Sequence, residues 1–368
     1  MDKFRYSPAL DGFRAGAVLL VMVYHMGIPP RGGHIGVNAF FVLSGFLITS
    51  LLLHENLNTG RIALGSFYIR RALRLYPPLL AVAAVVAAYS LLVPGAVRAD
   101  SSLPALPAVV LYFSNWVRSF GEGTPLGLFE HTWSLSVEEQ FYLLWPLLLL
   151  AVIRLTGRLS AVALVAFAGC GGALLLRLAL NGSTPGERIT SGIDTQADQL
   201  LFGCLLAAVV LMAARHGWEE SLSRMLRFAV WPAAVALGVV AVAWKPGDQS
   251  TAGMFIPALV AASCAAVIGF LYLNQNSWAS RALGCKPLVY VGKRSYALYL
   301  WHYPIYTVMT VSNFPASGPV RMALEVALSF VAAELSWRLV ESPALRLKDR
   351  LMTGRTVDTH SAPSMAGS

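Results

Sequence analysis

The sequence is poor in charged residues, above all acidic ones. Only 13% of its 368 residues are Asp, Glu, Lys or Arg, whereas soluble domains contain about 25%. Hydrophobic residues make up 56% of the chain. This balance excludes an ordinary soluble domain and indicates an integral membrane protein.

Cysteine is also scarce. The chain has four, Cys170, Cys204, Cys264 and Cys285, and their spacing matches neither a zinc pattern nor a disulfide framework. We expect them to be packing residues. We also predict no metal site and no permanently bound cofactor.

The shortage of acidic residues leaves a net charge of +9, a value that could suggest nucleic acid. The positions of the basic residues argue against that partner, because most of them fall in alternate loops and helix ends. This is the skew of the positive-inside rule. It predicts a multi-pass protein of the plasma membrane with both termini in the cytoplasm.

Long apolar runs dominate what is present. A membrane-spanning helix needs about 17–25 mostly apolar residues, and ten runs qualify, at about 13–29, 36–53, 73–93, 132–153, 159–180, 195–214, 228–244, 253–273, 287–311 and 319–339. We therefore predict an all-α polytopic transmembrane helix bundle of about ten spans.

The spans predict one transmembrane domain over 1–345 and a disordered cytoplasmic tail over 346–368. The first run follows basic residues but has no cleavage pattern, so we expect it to be retained rather than removed as a signal peptide. The longest connection, about 94–131, contains several prolines and an apolar piece too short to span. We expect it to form an external lid or an interfacial helix.

Two ionisable residues lie in the first run. Arg14 and His25 are eleven residues apart, close to three helical turns, which puts them on nearly the same face and roughly 16 Å apart along the axis. Ionisable groups within a bilayer are costly, so they indicate a functional site. Imidazole titrates near neutrality and can act as a base or as a nucleophile. We favour His25 as the general base.

Arginines crowd the start of the third run. Arg71 and Arg74 are three residues apart and share a helix face, and guanidinium groups bind phosphate oxygens in pairs. With Arg14 on the same side, they predict a site for a phosphate-bearing ligand. The alternative is that they only orient the helix or contact lipid phosphates.

The fourth run carries two acids into the bilayer. Ser134, Glu138 and Tyr142 recur at helical spacing with His131 and form one stripe, while Glu139 points elsewhere. Unpartnered carboxylates in lipid cost several kcal/mol, so at least one must meet His25 or an arginine. We expect Glu138 to orient His25 or to bind acceptor hydroxyls. A polar network that holds the helices in register is the alternative.

Further polar residues are candidates for the acceptor site or cavity wall. Each has a structural alternative: close helix packing beside Gly45, a cap at the start of a helix, or an interfacial aromatic belt. These candidates are Ser44, Asp198, Ser295 and His302.

Several motifs occur in order along the chain: LDGFRAGAVLLVMVYH, GVNAFFVLSGFLIT, RRALRLYP, WSLSVEEQFYLLWP and SYALYLWHYP. Together they resemble the acyltransferase-3 family of integral membrane acyltransferases over about residues 8–340. The resemblance implies ten transmembrane helices and transfer of an acyl group, usually acetyl from acetyl-CoA, to a hydroxyl of a carbohydrate or other acceptor. It also implies that Arg14 and His25 are essential and that Arg71 and Arg74 handle the CoA donor.

The expected function is an acyl-CoA-dependent O-acyltransferase that modifies a carbohydrate or glycan, with the donor entering from the cytoplasm. We expect no fused hydrolase-like domain of the kind that some relatives carry at their C-terminus. That leaves open acylation of a small secondary metabolite such as a macrolide. A transporter of glycans or lipid-linked sugars is an alternative of another class, because polar residues in a bundle also mark transport pathways.

Overall fold

The structure is a computed structural model that describes residues 5–244, 249–311 and 318–346. These residues contain helices and no β-strand. In chain order the α-helices are α1 Pro8–His25, α2 Ile35–Thr59, α3 Leu64–Leu92, α4 Ala99–Val110, α5 Ser114–Phe120, α6 Trp133–Thr156, α7 Leu159–Leu180, α8 Gly186–Ser191, α9 Ile193–His216, α10 Glu219–Ala243, α11 Thr251–Leu273, α12 Trp278–Leu283, α13 Lys286–Lys293, α14 Ser295–Val311 and α15 Gly318–Ser336. A 3-10 helix, Gly127–Thr132, precedes α6, and a π-helix, Trp337–Glu341, follows α15.

Seven helical segments of the described chain are long and apolar enough to cross a membrane. They are Ile35–Thr59, Leu64–Leu92, Gly127–Thr156, Leu159–Leu180, Gly186–His216, Glu219–Ala243 and Thr251–Leu273. These segments confirm a multi-pass helical membrane protein. The count of ten spans and the orientation of the termini stay predictions.

The other three predicted spans are helical but differ from the seven. Helix α1 carries Asp11 and Arg14 within its 18 residues. The run predicted at 287–311 is broken at Arg294 into α13 and α14, and α14 has only 17 residues. Helix α15 includes Arg321 and Glu325. Because of these charged residues or their shorter length, the three helices are not among the seven candidate spans.

The apolar helices divide into central and peripheral ones. Buried residues make up 78% of the apolar window of α2, but only 22% of that of α10. On α10 the side chains of Trp231, Val235 and Val242 are largely exposed. An exposed apolar surface of this size requires an apolar surrounding, which a bilayer supplies.

Helices α2 and α9 meet backbone to backbone at glycines. A Cβ atom added to Gly45 would lie 1.9 Å from the carbonyl oxygen of Leu200, and one added to Gly203 would lie 2.0 Å from that of Val42. Only glycine permits this approach. The close-packing interpretation of Gly45 is therefore confirmed.

Helix α1 packs against α2, α13 and α14, and most of its apolar residues are buried. Gly36 of α2 lets the two backbones approach, since a Cβ there would lie 2.4 Å from the Ala17 carbonyl oxygen. Polar residues in a membrane bundle face its interior. This packing carries Arg14 and His25 into the protein.

The long connection between α3 and α6 is helical, as predicted for part of it. It consists of α4, α5 and the 3-10 helix, which pack on one another and on α3, α6 and α14. Its position outside the membrane stays an expectation.

The cysteines are all free thiols. Cys170, Cys204 and Cys264 are buried, as expected for packing residues, but Cys285 is exposed at the N-cap of α13. The packing prediction is therefore wrong for Cys285. The predicted disordered tail lies outside the described residues, apart from Arg346.

Candidate active site

Eight of the predicted site residues line a single cavity between α1, α2, α3, α6 and α14. The cavity has an empty volume of about 680 Å³ including its open mouth. The eight residues are Arg14, Ser44, Arg71, Arg74, Ser134, Glu138, Tyr142 and Ser295. The structure thus brings together residues from five of the six helices on which the sequence analysis placed candidate residues.

The basic side of the cavity has one arginine without a direct carboxylate partner. Arg14 lies 3.5 Å from Asp11, and Arg71 lies 3.0 Å from Glu139. Within the described chain, Arg74 forms no ion pair, and its side chain is exposed at the cavity. An exposed guanidinium at a cavity can accept an anionic group.

Arg71 is held in place from two sides. Its guanidinium carbon lies 3.3 Å from the centroid of the Tyr142 ring, a cation–π contact, while Glu139 binds its Nη2 atom. The expectation that one of the paired acids would meet an arginine is confirmed for Glu139. Sequence reasoning set Glu139 aside because it falls off the polar stripe of its helix.

Glu138 contacts hydroxyl groups rather than a histidine. Its Oε1 atom accepts hydrogen bonds from the Ser44 hydroxyl and the Tyr142 hydroxyl. Of the two roles predicted for Glu138, contact with His25 is therefore wrong, whereas binding of acceptor hydroxyls stays a prediction. A carboxylate that accepts from two hydroxyls fixes the direction in which their protons point and holds both side chains in the wall of the cavity.

His25 pairs with His302. His302 was predicted to lie in the acceptor site or the cavity wall, but it is fully buried beside the cavity and does not line it. The Nδ1 atom of His25 lies 2.9 Å from Nε2 of His302, and Nδ1 of His302 lies 2.9 Å from the carbonyl oxygen of Leu298. A carbonyl oxygen only accepts, so His302 carries its proton on Nδ1 and accepts at Nε2 when neutral. His25 then donates from Nδ1, and its Nε2 keeps a free lone pair.

Further aromatic residues surround this pair. The rings of His131 and Tyr303 are 5.0 Å apart between centroids and stacked, and Tyr303 also lies 5.0 Å from the His25 ring. Arg98 donates to the Tyr303 hydroxyl across 3.2 Å. Sequence reasoning missed Tyr303 and Arg98, because nothing in their local pattern distinguishes them. His131 was visible as the first residue of the polar stripe.

Tyr299 forms the wall between the cavity and the histidines. It lines the cavity, and its ring lies 5.6 Å from that of His302. Its hydroxyl donates to the His131 carbonyl oxygen at 2.8 Å and lies 2.5 Å from the Ser134 hydroxyl. The arginine-lined cavity and the His25–His302 pair are therefore adjacent.

Asp198 does not enter this cavity, contrary to the prediction. It is fully buried and binds Arg177 through both carboxylate oxygens, at 2.9 and 2.5 Å. Neither was it the helix cap weighed as its alternative. The partner lies on α7, and a pairing between helices cannot be read from periodicity within one of them.

Comparisons with known proteins identify the family of the chain. The family model described as "Acyltransferase domain" of the acyltransferase-3 family matches residues 7–336. The chain is 33% identical over 354 residues to the peptidoglycan O-acetyltransferase OatA of Listeria monocytogenes, an alignment that covers 92% of this chain and 56% of that protein. It is 32% identical over 365 residues to the O-acetyltransferase OatA of Staphylococcus aureus, with 92% and 57% covered.

The chain thus spans little more than half the length of these curated relatives. No solved structure gives a significant match. The family model nevertheless covers α1 to α15 almost without remainder, including the cavity and the histidine pair. The chain therefore belongs to the acyltransferase-3 family of membrane acyltransferases.

Proposed function

We propose that the chain is a membrane O-acetyltransferase that moves an acetyl group from acetyl-CoA to a hydroxyl of a glycan. One observation carries the proposal: Tyr299 lines the arginine-lined cavity and its ring packs beside His302, the hydrogen-bond partner of His25, whose Nε2 lone pair is free. A thioester donor with phosphates and an alcohol acceptor need these two elements side by side.

The arginines are the proposed anchor for the phosphates of CoA. Arg74 offers an uncompensated guanidinium, and Arg14 and Arg71 add two more, each already tied to one carboxylate. Charge-assisted hydrogen bonds to phosphate are among the strongest in proteins. In the proposed orientation, this end of the cavity faces the cytoplasm and the donor enters from there.

His25 is the proposed general base. Its Nε2 takes the proton of the acceptor hydroxyl while the oxygen attacks the thioester carbonyl. A C–O bond forms, the C–S bond then breaks, and the proton passes from His25 to the departing thiolate of CoA. The imidazolium formed at His25 strengthens the hydrogen bond from its Nδ1 to His302, because a charged donor binds more strongly.

The hydroxyl groups near Glu138 are the proposed positioning groups. Ser44 and Tyr142 are held by one carboxylate oxygen, and Ser134 is held against Tyr299. They form the polar wall along which the pantetheine arm of CoA would extend toward His25. Ser295 completes the same wall.

A glycan is the proposed acceptor because the relative from Listeria is named a peptidoglycan O-acetyltransferase. The acceptor reaches His25 from the end of the bundle opposite the arginines, where α1 ends. The proposed location is the plasma membrane.

Transfer can be tested with the purified protein in lipid nanodiscs. The chain is incubated with acetyl-CoA carrying a labelled acetyl group and with a soluble glycan fragment, and the products are separated and identified by mass spectrometry. We expect an ester-linked label on the glycan and an equal amount of free CoA. Free CoA without labelled glycan would count against the acceptor class, and no release of CoA would count against the enzyme.

A further inference from the structure

A second cavity lies at the His25 end of the bundle, away from the arginine cluster. Its empty volume is about 490 Å³ including its open mouth, and six of its lining residues have nitrogen-bearing side chains. They are His34, Asn38, Arg177, Gln196, Trp244 and Gln249. None of them belongs to the sites discussed so far, apart from the Arg177 that binds Asp198.

Three polar atoms of this lining are buried without a partner in the part of the chain that the structure describes. They are Oδ1 of Asn38, Nε of Arg177 and Nε1 of Trp244, on side chains at most 8% exposed. A buried polar group without a hydrogen bond is costly. One acceptor and two donors at one cavity indicate a ligand that both donates and accepts hydrogen bonds, as hydroxyl groups do.

The orientation of Asn38 is fixed by a ladder of side-chain amides. Nδ2 of Asn38 donates to Oε1 of Gln199 at 2.7 Å, Nε2 of Gln199 donates to Oε1 of Gln196 at 2.5 Å, and Nε2 of Gln196 donates to the Ile189 carbonyl oxygen at 2.9 Å. The Ile189 carbonyl oxygen can only accept, so it fixes the direction of every hydrogen bond in the ladder. Oδ1 of Asn38 is therefore presented as an acceptor and cannot exchange places with the amide nitrogen.

The lining residues that the structure describes, taken with the Asp198 that Arg177 binds, carry no net charge at pH 7. The guanidinium of Arg177 is neutralised by the two oxygens of Asp198. Burial, with a smaller effect from the charge of Arg118, lowers the pKa of His34 to about 4, so that its imidazole is neutral. A neutral lining favours a neutral ligand over a carboxylate or a phosphate.

Aromatic rings flank the cavity and connect it to His25. The His34 ring lies 6.2 Å from Trp244 and 6.0 Å from Tyr24, and the Tyr24 ring lies 5.1 Å from that of His25. Aromatic faces pack against the apolar faces of ligands while polar groups fix their orientation. The cavity is thus two ring contacts away from the proposed base.

We propose that this second cavity binds a neutral, hydroxyl-rich sugar residue of the acceptor. The inference rests on the proposed function, because it assigns the acceptor site of that same reaction. The indole N–H of Trp244 donates to one sugar oxygen, Nε of Arg177 donates to another, and Oδ1 of Asn38 accepts a sugar hydroxyl.

The test is calorimetric binding of chitotetraose, a neutral sugar oligomer, to the full chain in nanodiscs without any donor. Trp244→Phe keeps an aromatic ring and removes the N–H donor. Gln249→Ala shortens an exposed lining residue. Trp231→Phe is the matched control, because Trp231 lies on the outer face of α10. The affinity for acetyl-CoA is measured on the same preparations.

We expect chitotetraose to bind the wild type and the Trp231→Phe variant equally. Loss of one neutral hydrogen bond weakens binding about three- to tenfold in Trp244→Phe, and Gln249→Ala weakens it too, while acetyl-CoA affinity is unchanged in both. Equal chitotetraose affinity in all four proteins, no binding to the wild type, or tighter binding of the anionic oligogalacturonate would overturn the proposal. Sugar binding without acetyl transfer would sustain this site and count against the proposed function alone.

Discussion

Replacement of His302 tests how His25 is held. In the structure Nε2 of His302 accepts the Nδ1–H of His25 at 2.9 Å, and the pair is buried on the His302 side. His302→Leu removes the acceptor and leaves that N–H without a partner. His302→Gln places a side-chain carbonyl oxygen near the position of Nε2 and can restore it.

The magnitude follows from the energy of an unsatisfied buried donor, about 1–3 kcal/mol. If this energy is lost in the transition state, where His25 is positively charged, kcat falls about 5- to 150-fold. We expect His302→Leu to show this fall with little change in the KM for acetyl-CoA, because the arginines lie in the neighbouring cavity. We expect His302→Gln to recover most of the rate.

The assay is steady-state release of CoA by the purified variants with a saturating glycan acceptor. Thermal unfolding in lipid nanodiscs checks that the two variants are folded to a similar extent. Equal rates for His302→Leu and the wild type would refute the assigned hydrogen-bond direction. A loss in His302→Gln as large as in His302→Leu, with both folded, would refute the role of an acceptor at this position.

Three further perturbations test the packing and the charges. Gly45→Ala, whose Cβ would lie 1.9 Å from a carbonyl oxygen of α9, should destabilise the protein by about 1–3 kcal/mol in thermal unfolding. Gly171→Ala, whose Cβ would meet nothing within 4 Å, should leave the stability unchanged. Equal stability of the two variants would contradict the close crossing of α2 and α9. Arg74→Ala should weaken acetyl-CoA binding about tenfold or more in a calorimetric titration. Arg70→Ala is the control, because Arg70 does not line the cavity, and it should leave the affinity unchanged. Equal effects of the two replacements would show that only overall charge matters. Asp198→Asn leaves a buried guanidinium without its counter-ion and should cost about 3–5 kcal/mol of stability; a wild-type melting temperature would argue against the buried ion pair.

Much of the arginine-lined cavity could be predicted from periodicity. A helix repeat places Ser134, Glu138 and Tyr142 on one face, and the cost of charge in a membrane directs that face inward. The same reasoning placed Arg14 on the interior side of α1. The structure confirms that these side chains line one cavity.

What periodicity could not give is the partner of each group. Glu138 was expected to orient His25 or to bind acceptor hydroxyls, but it accepts a hydrogen bond from Ser44 of α2. Asp198 was expected to enter the cavity, but it binds Arg177 of α7. Each pairing joins two helices whose relative rotation depends on packing, such as the glycine crossing of α2 and α9. The sequence pattern of one helix contains no information on that rotation.

The boundaries of the last helices were likewise beyond the sequence. One apolar run at 287–311 predicts a single span, whereas the chain forms α13 and α14 with Arg294 between them. Arg294 binds Glu334 of α15 at 2.5 Å and lies over the Tyr290 ring. Partners from another helix stabilise the break, and a hydropathy window does not register them.

The most direct test of the account is a single-turnover measurement on His25→Ala in nanodiscs, with labelled acetyl-CoA and a glycan acceptor. The account predicts that the variant binds acetyl-CoA with the affinity of the wild type, because its arginines are intact, and that it transfers no label to the acceptor. Transfer at a rate comparable to that of the wild type would contradict the assignment of His25 as the base.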